Sequence, residues 1–331
     1  MKELIKSLCE HIAPPGGERA LSNELLEKVR DVAHQTSIDR LGNVIATKNG
    51  DGPHVVLMAH ADQSGVMIMD IADKGFLRII GAGNLEPGRL VGCQVVFQNG
   101  VKGVVQLEAN TKDAEIRFDH LFVDIGKSSK ASASELVHIG LSGVMVAPFT
   151  ELGATRICGG SIDNRVGCAI AITAFRDLAA MNRHVSVVFT AMQTVGARGV
   201  GAATFALSPD LALVVDAGPC DDVPGHDVSS TELGKGPIIQ VMDGTAIVSV
   251  RIRRHLEESA KKKGIAAQFG VWPKGSADTD AGAIQLTKAG VAVGGVHYPA
   301  RYVGSTSTVV DVQDAQNAAS LIVEAASSYE G

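Results

Sequence analysis

Apolar positions along the chain switch between helical spacing and an alternation of two, which predicts helices and strands following one another. Glu3 to Cys9 has the spacing of a short amphipathic helix, stopped by Pro14-Pro15-Gly16-Gly17. A second helix is predicted from roughly Ser22 to Ala33. Thr36–Ile38 and Leu41–Ala46 read as paired strands, with Asn49-Gly50-Asp51-Gly52 as a turn. His54 to Ala59 is apolar and β-branched, the texture of a buried strand, and it delivers His60 at its end.

From Gly65 to about Glu151 the texture changes. Short β-prone pieces (Gly65–Ile71, Leu90–Gln98, Lys102–Leu107, Leu121–Asp124) alternate with Gly- and Asn-rich turns, and helical spacing returns only at Ala131–Val137. This predicts a small β domain over 65–151, inserted into a larger α/β domain formed by 1–64 and 152–331. In the second part, Arg165–Met181, Val200–Leu207, Leu256–Lys263 and Asp311–Ala325 read as helices. Val185–Met192, Leu211–Asp216, Ile247–Arg253 and Val291–Val296 read as strands. In open α/β sheets ligands gather beyond the carboxyl ends of the strands. His60, Gln193 and Asp216 all sit at such ends, which predicts a single site.

The residue types there suggest a metal. His60 and Asp62 have the spacing in which an imidazole binds an ion while a nearby carboxylate steadies its other nitrogen. Asp163, in Ser161-Ile162-Asp163-Asn164-Arg165, and Asp216 would complete a set of one imidazole and two carboxylates. Each also has a plainer reading: Asp163 and Ser161 suit a helix N-cap, and Asp216 a strand-end turn. Gln193-Thr194 offers no carboxylate where a hydrolase needs its base.

Further candidates compete with structural roles. Asp221, Asp222, His226 and Asp227 form a turn-rich surface loop from which His226 could reach a site. Asp278-Thr279-Asp280 precedes a helix near Ala281, so capping competes with catalysis. His297, Arg301 and Tyr302 follow a strand and could grip a substrate carboxylate. Arg251, Arg253 and Arg254 alternate partly along the predicted strand, as a ligand or subunit contact would, and Lys261–Lys263 is a solvated face. Gly196, Gly199 and Gly201 lack the order of a phosphate-binding fingerprint, and Ser305 has no triad partners in view.

Composition narrows the setting. A length of 331 residues suits one large domain and a smaller one. The formal charge of −6 argues against a general nucleic-acid binder. Five scattered cysteines without paired spacing argue against a disulfide framework or structural zinc, and Cys168 reads as packing. The opening segment has no apolar stretch fit for a signal peptide, and no run approaches a membrane span, so a reducing cytoplasmic setting is expected.

Several blocks carry a family resemblance. HADQSG at 60–65, SIDNRVG at 161–167, QTVGARG at 193–199, VVDAG at 214–218, GKGP at 234–237, DTDAGAIQ at 278–285 and RYVGS at 301–305 resemble, in order, blocks of the M42 family of cobalt- or zinc-dependent aminopeptidases. The resemblance implies a doubly wound metallopeptidase-type α/β domain with an inserted PDZ-like β domain, and dimers that build dodecamers. It implies that His60 and Asp216 bind the first metal, with Asp163 bridging to a second. Where the family has two consecutive glutamates, a general base and a second-metal ligand, this chain has Gln193 and Thr194. The family histidine for the second metal is Gly304 here, and the glutamate after the first block's Asp is Gln63.

A two-metal mechanism needs ligands on both ions, and a glutamine amide takes no proton near neutral pH. The expectation is therefore a divergent hydrolase of small amide or peptide-like substrates with one divalent ion (Zn, Co or Mn) on His60, Asp163 and Asp216. Proton transfer would fall to Asp62, His226 or His297, and substrate contacts to Gln193, Thr194, Arg301 and Tyr302. The alternative is a non-catalytic subunit, with or without metal, that binds a small or short-peptide ligand or builds an assembly.

Overall fold

The computed structural model describes residues 1–225, 230–273, 275 and 278–331. Helices α1 (Lys2–Cys9) and α2 (Arg19–Val29) lead into strands β1 (Gln35–Ile38), β2 (Val44–Lys48) and β3 (Asp51–His60). Next come β4 (Gly65–Ile71), β5 (Leu77–Ala82), β6 (Gln94–Phe97), β7 (Lys102–Leu107), β8 (Leu121–Asp124), α3 (Lys130–Ser134) and β9 (Ser142–Met145). The chain then forms β10 (Thr150–Leu152), β11 (Arg156–Gly159), α4 (Ile162–Ala180), β12 (Arg183–Thr190), α5 (Val200–Leu207), β13 (Leu211–Val214) and β14 (Ala217–Pro219). It ends with β15 (Ile238–Met242), α6 (Val250–Lys263), β16 (Gln268–Val271), α7 (Ala281–Gln285), β17 (Val293–Arg301), β18 (Thr308–Asp311) and α8 (Val312–Ser327).

The large sheet runs β1-β2-β12-β3-β13-β17-β18-β11-β10, with β14, β15 and β16 beside β17. Its centre, β12-β3-β13-β17, is parallel. Side chains of a strand alternate between faces, and here both faces are covered. Val55, Leu57 and Ala59 of β3 join the core beneath α1, α2, α4 and α8. Val56 and Met58 join the second core, with α5 and α7. A strand buried on both sides has no polar alternation, which is why β3, β12 and β13 read as continuous apolar runs. Register sets Thr190 opposite His60 and Val214 opposite Met58, so the ends of three strands form one rim.

Residues Gly65 to Met145 contain six strands closed into a barrel, β4-β5-β8-β7-β6-β9. It has its own core, including Val66, Ile68, Leu77, Val95, Phe97, Val105 and Val123. Alternation between core and surface is visible in β7, where Gly103 and Val105 are buried and Lys102 and Val104 exposed. Gly65 fits where β4 meets β9 because a Cβ there would run into the Gly143 carbonyl.

One predicted strand, Ile247–Arg253, is instead the start of a helix. Ser249 caps α6, its Oγ accepting from Ile252 N at 3.3 Å. Ile252, Leu256, Ser259 and Ala260 then bury one helical face. Arg251, Arg253 and Arg254 therefore lie on that helix, Arg251 donating to Gly331 O and Tyr329 Oη and Arg253 pairing with Glu257. Strands β5, β9, β10, β11, β14, β15, β16 and β18 were not predicted, and α2 begins and ends earlier than its pattern suggested. Among the described residues no helix is long and apolar enough to cross a membrane.

Candidate metal centre

His60 closes β3 with its ring buried and its orientation fixed. Nδ1 lies 3.0 Å from the Asp62 carbonyl oxygen, which can only accept, so Nδ1 carries the proton and Nε2 is left with its lone pair. Nε2 lies 3.4 Å from Asp163 Oδ1 and 3.4 Å from Asp216 Oδ1. The ligand atoms of these three residues all fall within 4.8 Å of one another.

The start of α4 is built to present Asp163. Asp163 and Asn164, joined by a cis peptide, have non-helical backbone angles. The capping role falls to Asn164, whose Oδ1 accepts from Gly167 N at 3.0 Å. Asn164 Nδ2 also donates to Val215 O at 2.9 Å, and Tyr298 Oη donates to Asn164 Oδ1 at 3.0 Å. The residue after Asp163 is thus tied to the one before Asp216. Asp163 Oδ1 is buried and accepts no hydrogen bond from the chain. A buried carboxylate oxygen without a donor is costly, and a cation between Asp163, Asp216 and His60 Nε2 would satisfy it. Hard carboxylate oxygens with one imidazole suit a divalent ion, so the residues fit the metal that the sequence suggested. Burial disfavours imidazolium, yet the negative charge of Asp216 and the nearby carboxylates of Asp163 and Asp62 hold His60 well above its ordinary pKa, so an ion binding at Nε2 would displace a proton.

Asp62 is fully buried behind this set. Its Oδ1 accepts from Gln193 N at 2.9 Å, and its Oδ2 from Thr194 N at 2.9 Å and Thr194 Oγ1 at 2.5 Å. Burial pushes its pKa up, but the contacts with His60 and Thr194 outweigh that and hold it low. Asp62 thereby fastens the Gln193-Thr194 turn to the histidine strand. Gln193 Nε2 donates to Asp278 O at 2.9 Å.

Two supports were not singled out from sequence. Glu18 is buried, and its Oε1 accepts from Gly16 N at 2.9 Å and Met192 N at 3.1 Å. Burial raises its pKa. Arg165, fully buried, donates to the carbonyl oxygens of Leu8, Ala61 and His11 and to Gln63 Oε1. Only its place in the SIDNRVG block hinted at importance.

A cavity of about 480 Å³ opens over the centre. His60, Asp163, Asp216, Gln193, Thr194 and Gly304 all line it, as do Ser64 and Asn84 from the barrel side. Gly304 has a φ of +77° and supplies no side chain. His297, Arg301 and Tyr302 do not line this cavity. His297 is buried, with Nε2 3.0 Å from Gln240 Oε1 and its ring edge-on to Trp272, and burial lowers its pKa. Arg301 is held by Asp222 in a two-pronged pair of 2.8 and 2.6 Å. Tyr302 is half exposed on the following turn. His226 and Asp227 lie outside the described residues. Asp280 is buried, its Oδ2 accepting from Thr190 Oγ1 at 2.6 Å, and burial pushes its pKa up to about 7.

Comparison with known proteins places the chain in a family. The sequence pattern of the M42 glutamyl aminopeptidases matches residues 42–321. A putative aminopeptidase of Acetivibrio thermocellus is 34% identical over 98% of both chains. A lysyl aminopeptidase of Pyrococcus furiosus is 31% identical over 95% of this chain and 93% of its own. Among solved structures, an aminopeptidase of the archaeon Desulfurococcus kamchatkensis superposes with a TM-score of 0.92 at 33% identity, covering 98% of this chain and 93% of that one. The Pyrococcus horikoshii TET1 peptidase, which can assemble into a tetrahedron or a large octahedral shell, gives 0.88 at 28% identity over 98% of both. With the pattern spanning most of its length, this chain belongs to the M42 glutamyl aminopeptidase family.

Proposed function

We propose that the protein is a divergent M42 hydrolase that cleaves small amide or peptide-like substrates with one divalent ion instead of two. The observation that carries this reading is an asymmetry in one cavity. Asp163 and Asp216 each bring a carboxylate oxygen to 3.4 Å from His60 Nε2, while the other side offers an amide at Gln193, a hydroxyl at Thr194 and no side chain at Gly304. His60, Asp163 and Asp216 would hold the ion, which could be Zn, Co or Mn, and when bound it would polarise the scissile carbonyl. Asp62 orients the His60 side of the site and steadies the Gln193-Thr194 turn. The Gln193 amide can donate to a substrate carbonyl but cannot accept a proton from water.

The reading treats 1–64 and 152–331 as the metallopeptidase-type unit and 65–151 as an insertion of PDZ-like kind. A closed barrel with a separate core supports the insertion. Self-association through dimers to a dodecamer is part of the same proposal, drawn from the shells of the Pyrococcus horikoshii relative. Exposed Ile247, Val250 and Leu286 offer apolar surface for it. Five free cysteines suit a reducing, cytoplasmic setting.

The test is turnover of a panel of aminoacyl and acylated amides by the purified protein and by His60→Ala, with particle size read by light scattering. The reading expects turnover that the substitution abolishes. Absence of turnover and of bound metal in a large ordered particle would instead favour a non-catalytic assembly subunit.

A further inference from the structure

We infer that Asp278 is the general base of this site, in place of the glutamate that the family carries at Gln193; the inference rests on the hydrolase reading above. Among the described residues that line the cavity, Asp278 is the one carboxylate outside the set of His60, Asp163 and Asp216. Its backbone lies beside the position of the lost base, because the tip of Gln193, Nε2, donates to the Asp278 carbonyl oxygen at 2.9 Å. Asp278 Oδ1 accepts from Gly275 N at 3.1 Å, and Gly275 also lines the cavity, so the carboxylate lies along the wall. Asp278 is solvent exposed.

The other acids near Gln193 are hydrogen-bonded to the frame or do not line the cavity. Both oxygens of Asp62 accept hydrogen bonds from the Gln193-Thr194 turn. Glu18 braces Gly16 and Met192 and does not line the cavity. Asp280 is buried against Thr190. The two residues after Asp278 are anchored, Thr279 to Asp243 at 2.6 Å and Asp280 to Thr190. A base placed beside such an anchor is held in position.

The step balances without a redox partner. Water adds to the amide carbon, forming a C–O bond, and its proton passes to the Asp278 carboxylate. That proton then moves to the departing nitrogen as the C–N bond breaks, leaving a carboxylic acid, an amine and an ionised Asp278.

The test compares wild type, Asp278→Asn and Asp278→Gly on the amide panel, with and without formate, and measures metal content and thermal stability in parallel. Asp278→Asn should lower kcat by about 10²- to 10⁴-fold and move KM by less than about threefold, with metal content and melting unchanged. Formate should restore at least about tenfold of the rate to Asp278→Gly and leave the wild type unaffected. A kcat within about threefold of wild type, or a loss that follows KM or metal content and that formate does not rescue, would overturn the inference. Wild-type protein that hydrolyses none of the panel would overturn it together with the hydrolase reading; active wild type with active Asp278→Asn overturns the base assignment alone.

Discussion

Arg165 Nη2 donates to Gln63 Oε1 at 2.9 Å inside a fully buried pocket, so a guanidinium rests there on neutral acceptors alone. Burial lowers its pKa, a measure of how poorly that charge is compensated. The same group donates to Ala61 O, between His60 and Asp62, and so ties the start of α4 to the strand end that carries His60. Exchanging Gln63→Glu turns a neutral acceptor into a charged one, and a gain of about 1–2 kcal/mol is expected. Arg165→Met leaves several carbonyls without donors and should cost about 3–5 kcal/mol. Calorimetric melting of both variants checks this, and a lower melting temperature for Gln63→Glu would refute it.

Arg301 is committed to Asp222 rather than to the cavity. Arg301→Ala should therefore cost about 1 kcal/mol of stability, and KM for any amide substrate should stay within about twofold. A large rise in KM at unchanged melting would return Arg301 to substrate binding.

His54 stacks on His184 with ring centroids 4.2 Å apart, and its Nε2 lies 2.8 Å from Ser186 Oγ. Burial, with the neighbouring His184 charge, lowers its pKa to about 4, although Asp210 pulls the other way. The unfolded chain therefore binds this proton first, near pH 6.5. The stabilisation is full above that value and is lost as pH falls towards 4. With allowance for the ring's solvent contact, about 1–2 kcal/mol should disappear across this window. Melting temperatures between pH 7.5 and 4.5 should show a shallower slope in His54→Asn, and an unchanged slope would exclude His54 as the source.

Features legible from sequence were those written in local periodicity or in ordered blocks. β3, β12 and β13 are buried on both faces, so their apolar runs and the polar residues ending them stood out. His60 and Asp216 followed from those ends, and Asp163 from the Ser161–Arg165 segment that opens a helix. Ile247–Arg253 misled because its alternation of apolar and basic residues mimics a strand for a few positions, while the buried helical stripe becomes clear only by Leu256 and Ala260. His297 could not be oriented either: a strand's neighbours face opposite ways, and only the fold shows it turned to Gln240. The pairs Glu18–Met192 and Arg301–Asp222 join distant segments with no local pattern. The plainer reading of Asp163 as a cap could be set aside only in the fold, where the bent start of α4 gives that task to Asn164.

The claim on which the rest depends is that the cavity binds a single cation. Equilibrium dialysis of the purified protein against Zn, Co or Mn, with metal measured by mass spectrometry, tests it directly. The account predicts saturation at about one ion per chain, with that ion lost in His60→Ala and in Asp216→Asn. Saturation at about two ions per chain with comparable affinity would contradict it.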